Sequence, residues 1–558
     1  MKDFENGDKG RKNKPLIAAC VLLLAATAAF RTLGGTAMEH HECFVSVTAR
    51  EMLSSGNWVV PTCNGQLRIH KTPLSYWLAA ASAKITGNID EFTARLPSAI
   101  LAVLSALAII YFVNYWFGFR AASLCACVWA TSLGYIEYSH NARPEMALVF
   151  FVMLCFLSFY SAANEKNRKK QIIYALVFWI SLGLGNLAKG PIPLPLVMIP
   201  LACYVSVFKE WKILPKLLPL AGPVVFLAIV LPWPLVIAQK LNWDLTIWKR
   251  EYVDCFMGEY NSGNYPIYFY LYYVFSFIAP WVAFVPIVLI TPFYKVWDQK
   301  RKTMMFLWIW FIADLIFLSL AGGKRDHYIL PAMPALAILT GVVMDDMIFV
   351  RKIFKLKYAK NFLVCHIVLV IIIAIAGTIY TAAAKPEFLL RLMPLSIGGV
   401  VLAGGVGAAF AKKKAAAGCG ILFAGCCILI MIYCVNFINA LDKNKCTKIF
   451  ALQVAEKVPE TDKLTAYGYV PLRVVYYFGK PIGVINDISL LYQNYEQGGW
   501  IIATYTDLKK LEKDGRFAEV YLNEKAEIQR KRNIRGALFH KPTPPPINEK
   551  SLETIETK

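Results

Sequence analysis

Long apolar segments alternate with short polar ones over most of the chain. Between Leu16 and Asn436 the sequence repeats apolar runs of about fifteen to twenty-five residues, and a helix needs roughly twenty such residues to cross a bilayer. The chain is 57% hydrophobic and 17% charged, whereas a soluble domain is about 45–50% apolar and 25% charged. The pattern predicts a polytopic α-helical membrane protein with about thirteen transmembrane helices.

The predicted spans differ in length, and a long loop separates the first from the second. They are Leu16–Phe30, Leu96–Phe117, Ala121–Tyr135, Met146–Ala163, Ile172–Leu187, Pro193–Val207, Leu217–Ala238, Tyr268–Pro292, Met304–Leu320, Ile329–Ile348, Phe362–Thr378, Leu395–Phe410 and Ala415–Asn436. An odd number of spans places the two ends of this region on opposite sides of the membrane.

The loops between the spans alternate in charge. Every second loop is rich in lysine and arginine, as in Lys166–Lys170, Lys295–Lys302 and Lys412–Lys414. Because cytoplasmic loops carry the excess of basic residues, we expect a cytoplasmic N-terminus and a C-terminal region outside the membrane. This distribution accounts for the net charge of +22 without a nucleic-acid partner.

Composition divides the chain into four parts. Residues 1–15 form a basic cytoplasmic N-terminus, and residues 16–436 form the transmembrane domain, whose first outer loop spans residues 35–95. Short β-like runs then alternate with helical stretches, which predicts a small periplasmic α/β domain over residues 437–540. The proline-rich, charged residues 541–558 are expected to be disordered.

The first outer loop contains a stretch, Met38–Trp77, with more polar chemistry than a simple connection needs. It holds paired histidines, a glutamate, an Asn-Gly turn and a His-Lys pair. The apolar residues after Glu42 follow helical spacing, and a Thr-Pro pair marks the start of a second helix. Two such helices lying in the membrane interface would present Glu42, His70 and Lys71 to one cavity.

Other outer segments also combine histidine with charge, and residues 239–265 are rich in aromatic and charged side chains. The residues of interest are His140, Arg143 and Glu145 in the second outer loop, and Lys324, Arg325, Asp326, His327 and Tyr328 in the third. A carboxylate beside several cations suits transfer from a lipid phosphate, because the base takes a hydroxyl proton while the cations hold the phosphate leaving group.

Each of these residues also has a simpler explanation. Charged residues of outer loops are often only solvated. His41 and Glu42 suit the first turn of the helix that follows them, since an acid there complements the helix dipole. Arg68 and Lys71 can reach lipid headgroups with their long side chains.

The stretch HECFVSVTAREMLSSGNWVVPTCNGQLRIHKTPLSYW, residues 41–77, resembles the first outer loop of the protein-mannosyltransferase-like family, in its aminoarabinose-transferase branch. Four further matches follow in family order: EFTARLPSA at 91–99, LAKGP at 187–191, PIYFYL at 266–271 and KRDHYILPAMPALAIL at 324–339. The resemblance implies a GT-C fold and a transferase that takes a sugar from a polyprenyl-phosphate donor on the outer face of the inner membrane.

The resemblance also implies roles for residues of this chain. Lys71 and Tyr328 match family positions that contact the donor phosphate. The complete candidate site is Glu42 as general base, Lys71, Lys324, Arg325 and Tyr328 on the donor phosphate, and Arg143 and Glu145 in the second loop.

The chain departs from the family pattern at three positions. The family's acidic pair maps to His41-Glu42, and its Glu-Lys pair maps to His70-Lys71. A family histidine that precedes the Pro-aromatic segment falls near residues 263–264, which are Gly and Asn, so that metal ligand is missing. His41 or His70 could replace it, since histidine suits a transition metal; the identity of a divalent metal stays open.

The sequence thus predicts an inverting membrane glycosyltransferase that moves a sugar from a polyprenyl phosphate to a lipid A-type glycolipid or a protein, working as a monomer among membrane lipids. The alternative is a transporter or flippase of a lipid-linked substrate, which would show broken helices and internal symmetry; the sequence indicates neither. The sugar, the acceptor and a disulfide between Cys43 and Cys63 stay open.

Overall fold

A computed structural model describes residues 13–259, 265–350, 386–433, 445–522 and 535–541, with single positions and short runs between 350 and 445. The chain divides into two compact units. The first comprises residues 1–35, 57–61 and 68–440, and the second comprises residues 36–56, 62–67 and 441–558. The predicted boundaries placed the whole first outer loop in the transmembrane domain, whereas two of its segments group with the C-terminal region.

The first unit is helical. Its longer α-helices are Lys14–Phe30, Leu74–Thr86, Glu91–Phe117, Phe119–Thr131, Glu145–Asn164, Arg168–Lys189, Pro193–Phe208, Ala221–Val230, Pro232–Lys240, Phe269–Ile278, Arg301–Leu320, Met333–Asp345, Leu389–Ala411 and Ala415–Tyr433. Short α-, 3-10 and π-helical segments connect them: Leu133–Tyr138, Trp211–Leu217, Thr246–Trp248, Lys249–Asp254, Cys255–Met257, Trp281–Phe284, Val285–Ile290, Thr291–Phe293, Lys295–Lys300, Asp326–Ala332, Asp346–Val350 and Pro386–Phe388.

Local sequence sets several helix ends in this unit. The Asp90 side chain accepts a hydrogen bond from the backbone N–H of Thr93 at 2.8 Å, and the Asn167 side chain accepts one from Lys169 at 3.0 Å. Both satisfy N–H groups that the first helical turn leaves without a helical acceptor. Pro193 begins its helix, where a missing N–H costs nothing.

Within the described residues, seven helices are long and apolar enough to cross a membrane, and the number rises to nine if each of two bent helix pairs is one span. The seven are Glu91–Phe117, Glu145–Asn164, Arg168–Lys189, Arg301–Leu320, Asp326–Val350, Leu389–Ala411 and Ala415–Tyr433. The prediction of a polytopic helical membrane protein is confirmed, while the total of thirteen stays a prediction. The predicted span Phe362–Thr378 lies mostly outside the described residues.

The predicted span Tyr268–Pro292 is not one continuous helix. Its two helical parts, Phe269–Ile278 and Trp281–Phe293, meet at an angle of 117°. Pro280 lies between them. Proline cannot donate a backbone hydrogen bond and disfavours helical geometry in the residue before it, so the chain turns here.

A second break falls in the predicted span Leu217–Ala238. The segments Trp211–Leu217 and Ala221–Val230 meet at 59°, and Pro219 lies between them, with the same physical reason. The expectation from the sequence that the spans would be unbroken was therefore wrong at two places.

The core of the first unit depends on a close helix crossing. The helices Phe119–Thr131 and Met333–Asp345 meet at Gly341, where a Cβ atom would stand 2.5 Å from the backbone nitrogen of Cys125. Every residue of Met333–Asp345 is buried. Since protein interiors are as densely packed as organic crystals, only a residue without a side chain fits at this crossing.

The second unit combines helices with strands. Its helices are His40–Ser55, Lys445–Lys457, Leu472–Phe478, Ile488–Glu496 and Tyr505–Asp514. Its strands are β1 (Thr62–Cys63), β2 (Gln66–Leu67), β3 (Leu464–Tyr467), β4 (Gly483–Ile485), β5 (Trp500–Thr504), β6 (Glu519–Leu522) and β7 (Gly536–Phe539). Of the segment 541–558 that the sequence predicts to be disordered, all but Lys541 lies outside the described residues.

Strands β3 to β7 form one mixed sheet in the order β4-β3-β5-β7-β6. Strand β3 is parallel to β4 and to β5, whereas β7 is antiparallel to β5 and β6. All residues of β3 and β5 are buried, as expected for central strands with both faces covered. The pair β1 and β2 forms a separate hairpin around the Asn64-Gly65 turn.

The helix His40–Ser55, which the sequence predicts from apolar spacing, is present and belongs to this second unit. The guanidinium of Arg50 donates hydrogen bonds to the carbonyls of Tyr476 at 2.8 Å and Val475 at 3.0 Å. Asn64 exchanges two hydrogen bonds with the backbone of Ile482, which lies 418 residues later in the chain. Part of the first loop is therefore built into the C-terminal fold.

We predict that Gly341→Ala destabilises the protein by about 1–3 kcal/mol, because the added methyl group overpacks a contact with backbone that cannot move aside. The measurement is the apparent melting temperature in one detergent. Gly404→Ala is the matched control, since Gly404 is also helical and has no atom within 4 Å of the position its Cβ would take. The control should be neutral or slightly stabilising; equal melting temperatures for the two variants would contradict the close crossing.

Candidate functional site

The first unit contains a cavity of about 410 Å³. The charged and phenolic side chains in its wall belong to Lys71, Lys189, Glu251, Tyr252 and Tyr328. Most of the remaining wall is apolar: Leu148, Pro191, Ile192, Pro195, Leu196, Val253, Phe256, Phe317, Leu318 and Ala321. One ligand in this cavity can therefore contact both cationic and apolar side chains.

Lys71 lies just before the helix Leu74–Thr86, on backbone that neighbouring segments hold in place. The indole N–H of Trp248 donates to the Ile69 carbonyl at 2.8 Å. The Lys71 ammonium forms a salt bridge with the Glu251 carboxylate, and the two side chains are 43% and 18% exposed. Because the pair is partly solvated, its net contribution to stability is small, and another anion can take the place of Glu251.

Glycine residues allow the segment 246–257 to lie against the cavity. A Cβ on Gly190 would stand 2.4 Å from the Tyr252 ring, and one on Gly323 would stand 1.9 Å from the Cys255 carbonyl oxygen. No other amino acid permits such close approaches. The glycines of LAKGP and AGGKRDHY thus determine where Glu251 lies.

Glu145 is the centre of a buried ionic cluster. Its carboxylate lies 3.3 Å from Arg143 Nε, 3.2 Å from Lys189 Nζ and 3.3 Å from His327 Nε2. The other ring nitrogen of His327 lies 2.9 Å from Asp326 Oδ1. Glu145 is the first residue of its helix, whose dipole favours an acid at that end. Three separate segments of chain are thereby joined through one carboxylate.

This cluster places one of its cations at the cavity wall. The Glu145 carboxylate that pairs with Lys189 also lies within reach of Arg143. Lys189 Nζ lies 5.1 Å from the centroid of the Tyr328 ring, and both residues line the cavity. An ammonium at the wall can also form a charge-assisted hydrogen bond with an anion in the cavity.

The predicted donor-phosphate residues are only partly brought together. Lys71 and Tyr328 line the same cavity. Lys324 is buried and Arg325 is exposed, and neither is among the described residues that line it. Arg143 contacts Glu145, and Glu145 contacts the cavity residue Lys189. The contacts of Lys71, Lys324, Arg325 and Tyr328 with a phosphate stay predictions, and so do the roles of the two second-loop residues.

Glu42 lies in the second unit, whereas Lys71 and Tyr328 lie in the first. It is fully buried, and its Oε2 accepts a hydrogen bond from the backbone N–H of Glu39 at 2.9 Å. The two glutamates form a reciprocal capping box at the start of the helix. The simpler interpretation, helix capping, is therefore confirmed for Glu42, and its role as a base stays a prediction.

The thiols of Cys43 and Cys63 are both buried in the second unit. His41 lies beside them in the sequence, and its ring centroid is 5.7 Å from that of His40. A disulfide between the two cysteines stays an open question.

The described residues contain no group of three or more His, Cys, Asp or Glu side chains placed to hold a metal. Burial, with the nearby Arg68 guanidinium, keeps the pKa of His70 below its ordinary value, so this ring is neutral at pH 7. Its buried Nδ1 has no hydrogen-bond partner. His41 belongs to the other unit, and residues 263–264 lie outside the described part of the chain. A divalent metal held by His41 or His70 therefore stays a prediction.

Sequence reasoning missed Lys189 and Glu251 as site residues. Lys189 lies in the LAKGP match, and a lysine in the last turn of an apolar helix was a usable signal. Glu251 lies in a segment with several other acids, and no spacing distinguishes it from them. Only the contact with Lys71 identifies it.

Comparison with known proteins confirms the resemblance that the sequence motifs indicated. Residues 70–235 match the family described as dolichyl-phosphate-mannose-protein mannosyltransferase. An undecaprenyl phosphate-α-4-amino-4-deoxy-L-arabinose arabinosyl transferase 2 of Pseudomonas fluorescens is 28% identical over 305 residues, covering 53% of this chain and 54% of the relative. A transferase of the same description from Enterobacter is 25% identical over 366 residues, 64% of each chain. The chain thus matches less than two thirds of the length of these relatives.

The fold is also that of a solved protein. The crystal structure of ArnT from Cupriavidus metallidurans bound to undecaprenyl phosphate superimposes with a TM-score of 0.77 at 18% identity, over 94% of this chain and 97% of that one. The similarity extends through nearly the whole chain and establishes a shared fold.

We predict that Glu145→Gln destabilises the protein by about 3–5 kcal/mol, because it leaves two buried cations without their counter-ion. Thermal unfolding in detergent measures the effect. The matched control is Glu210→Gln, which removes an exposed ion pair with Lys302 and should cost less than about 1 kcal/mol. A Glu145→Gln protein as stable as this control would show that the cluster does not hold the segments together.

Proposed function

We propose that this relative of the dolichyl-phosphate-mannose-protein mannosyltransferases is an inverting membrane glycosyltransferase. It takes a sugar from a polyprenyl phosphate and transfers it to a lipid A-type glycolipid or a protein. The observation that carries the proposal is the cavity in which Lys71, Lys189 and Tyr328 share a wall with ten apolar side chains. The names of the aligned relatives specify a donor of the same class, which supports the proposal.

A polyprenyl phosphate fits both chemistries of this cavity. Its phosphate would pair with the ammonium groups of Lys71 and Lys189, and the Tyr328 hydroxyl would donate a hydrogen bond to it. Its isoprenoid chain would bury apolar surface against residues such as Ile192, Leu196 and Phe317, at about 25 cal/mol per Å². A soluble sugar nucleotide would gain little from the apolar wall, so the lipid-linked donor is favoured.

Donor binding would exchange one ion pair for another. Lys71 is paired with Glu251 in the structure, and a phosphate that approaches Lys71 competes with that carboxylate. A phosphate carries more charge than a carboxylate and accepts more hydrogen bonds. The exchange therefore favours the donor and releases Glu251 from the lysine.

The cations would also act in the chemical step. The bond between the anomeric carbon and the phosphate oxygen breaks, and the negative charge of the departing polyprenyl phosphate grows. Ammonium groups already in place stabilise that charge more in the transition state than in the ground state, which is what lowers a barrier. Lys71 and Lys189 take this role, and Lys324 and Arg325 are the further cations of the same loop region.

The acceptor hydroxyl needs a base. In this proposal Glu42 takes its proton as the acceptor oxygen bonds to the anomeric carbon on the face opposite the phosphate, which inverts the configuration. One carboxylate oxygen of Glu42 caps its helix, which fixes the orientation of the side chain. Arg143 and Glu145 contribute by holding Lys189. Each of these steps uses protein side chains alone.

The proposed arrangement in the membrane follows the distribution of charge. The basic N-terminus and inner loops lie in the cytoplasm, about thirteen helices cross the inner membrane, and the C-terminal α/β domain is periplasmic. Transfer then takes place at the outer face. Labelling of single cysteines introduced before residue 15 and after residue 541 with a membrane-impermeant reagent tests this topology.

A transporter or flippase of a lipid-linked substrate is the second candidate. The two bent helix pairs favour it, because broken helices are typical of transporters. Purified protein in liposomes with a labelled polyprenyl-phosphate sugar distinguishes the two: glycosidic bond formation supports the transferase, and movement of the lipid without bond formation supports the transporter.

We predict that Lys71→Ala weakens binding of undecaprenyl phosphate by about tenfold or more, since it removes one charge-assisted hydrogen bond to the phosphate. Glu251→Gln should strengthen binding, because it removes the competing carboxylate. Lys240→Ala, at an exposed lysine of the same unit, is the control and should bind as the unaltered protein does. Equal affinity in all four proteins would exclude Lys71 from the phosphate site.

We predict that Glu42→Gln lowers the transfer rate by about 10²–10⁴ while the melting temperature stays near that of the unaltered protein. Glutamine can still accept the hydrogen bond from Glu39, so the capping box persists and only the basic group is lost. Transfer of a radiolabelled sugar to extracted outer-envelope lipids and proteins provides the rate. Glu456→Gln, at an exposed position of the same unit, is the control; a Glu42→Gln rate close to that of the control removes Glu42 from the role of base.

A further inference from the structure

The sheet of the second unit has a point at which its connections diverge. The chain leaves β3 through the helix Leu472–Phe478 and returns as β4 on one side, then passes through Ile488–Glu496 to β5 on the other side. The three strands are parallel, so their carboxyl ends lie along one edge. In open α/β sheets, ligands bind in the crevice outside the strand ends where neighbouring connections go to opposite sides.

The crevice is present as a cavity of about 470 Å³. Its wall comes from the end of β3 and the loop after it, from β4 and the residue after it, and from the helix that follows β5. The lining residues are Tyr467, Gly468, Tyr469, Val484, Asn486, Asp507 and Lys510. All of them belong to the second unit.

Hydrogen bonds fix the loop that follows β3. The backbone N–H of Gly468 donates to the Ile485 carbonyl at 3.0 Å, and that of Tyr469 donates to Asp507 Oδ2 at 3.2 Å. Gly468 has a φ of 69°, a conformation that favours glycine. A Cβ on Gly468 would stand 2.4 Å from the Asp507 carboxylate. The cavity wall is therefore formed before any ligand binds.

The charges in this cavity compensate one another. Lys510 Nζ lies 2.8 Å from Asp507 Oδ1, and the hydrogen bond from Lys510 keeps the pKa of Asp507 below its ordinary value. The pair is ionised at neutral pH and has no net charge. An ionic ligand would consequently have to separate Asp507 from Lys510 before it could pair with either of them.

A nucleotide or other phosphate ester is disfavoured for a second reason. In this type of fold a phosphate lies at the N-terminus of the helix that follows a strand, on exposed N–H groups of a glycine-rich turn. Here Asp507 lies in the first turn of the helix Tyr505–Asp514 and repels an anion. The turn after β3 reads Tyr-Gly-Tyr-Val-Pro and has a single glycine.

The remaining chemistry suits hydroxyl groups and the apolar face of a sugar ring. The Tyr469 side chain is 54% exposed, and Asn486 is exposed beside it in the wall. An amide, a carboxylate and an ammonium together supply donors and acceptors for neighbouring hydroxyls, and an aromatic ring supplies an apolar surface with one polar end. A few placed polar groups on a concave wall are typical of small-molecule sites.

We propose that the crevice at the carboxyl ends of β3, β4 and β5 binds a neutral sugar unit of a glycan, with Tyr469 against the sugar ring and Asn486 and Asp507 on its hydroxyls. This site lies in a different unit from the cavity of Lys71 and Tyr328. It does not depend on the proposed transferase activity, because it requires binding and no bond formation.

The test uses the full chain in lipid nanodiscs and saturation-transfer-difference NMR with three neutral trisaccharides: maltotriose, mannotriose and chitotriose. We expect at least one of them to show saturable transfer. Tyr469→Ala and Asn486→Ala should each weaken its affinity by about tenfold or more, the loss expected for one removed contact. Tyr469→Phe keeps the ring and should retain binding, and so should Lys509→Ala, the neighbour of Lys510 outside the cavity wall.

Two outcomes with the neutral sugars would overturn the proposal. One is the absence of saturable transfer from all three sugars, and the other is transfer that Tyr469→Ala and Asn486→Ala leave unchanged. A third contrary outcome is that inorganic phosphate or AMP binds more tightly than the sugars and that Lys510→Ala abolishes this binding. The ligand of the crevice would then be an anion and not a sugar. A chain that binds the sugar here but forms no glycosidic bond would refute the proposed transferase and leave this inference standing.

Discussion

The first unit depends on one buried carboxylate that side chains from separate segments share. Glu145 lies within 3.3 Å of side-chain nitrogens of Arg143, Lys189 and His327, and its side chain is only 5% exposed. Buried charges persist only where partners compensate the loss of hydration. The cluster therefore fixes where these segments meet, and it places the Lys189 ammonium on the cavity wall.

A second constraint acts through backbone contact. The glycines at 190 and 323 let the segment 246–257 approach more closely than any side chain would allow, and this segment carries Glu251 to Lys71. The buried cluster is costly to disturb, whereas the half-solvated Lys71–Glu251 pair is easily exchanged. The cavity thus combines a cation held in a buried cluster with a cation in an exchangeable ion pair, which suits the lipid-phosphate donor proposed above.

Different interactions stabilise the second unit, because its sheet is held by backbone pairing and a small apolar core. Segments of the first outer loop are part of it, through hydrogen bonds of Arg50 and Asn64 to residues after 470. Glu42 is carried on the same helix, with its carboxylate engaged in a capping box. The proposed base and the proposed phosphate ligands consequently come from two units that are each stabilised in their own way.

The sequence by itself determined the class of the protein, since long apolar runs can only be satisfied in a membrane as helices, and its ordered motifs identified the family resemblance. It also located the helix after Glu39, because spacing is a local property, and it singled out Lys71 and Tyr328, which the structure places in the wall of one cavity. Tertiary structure decided the rest. Pro280 and Pro219 show that a break is allowed, but only packing shows that the chain bends there. Lys189 is placed by a contact with Glu145 across 44 positions. Glu251 and the grouping of Glu42 with the C-terminal fold depend on contacts across 180 and 425 positions, and no local pattern encodes any of these.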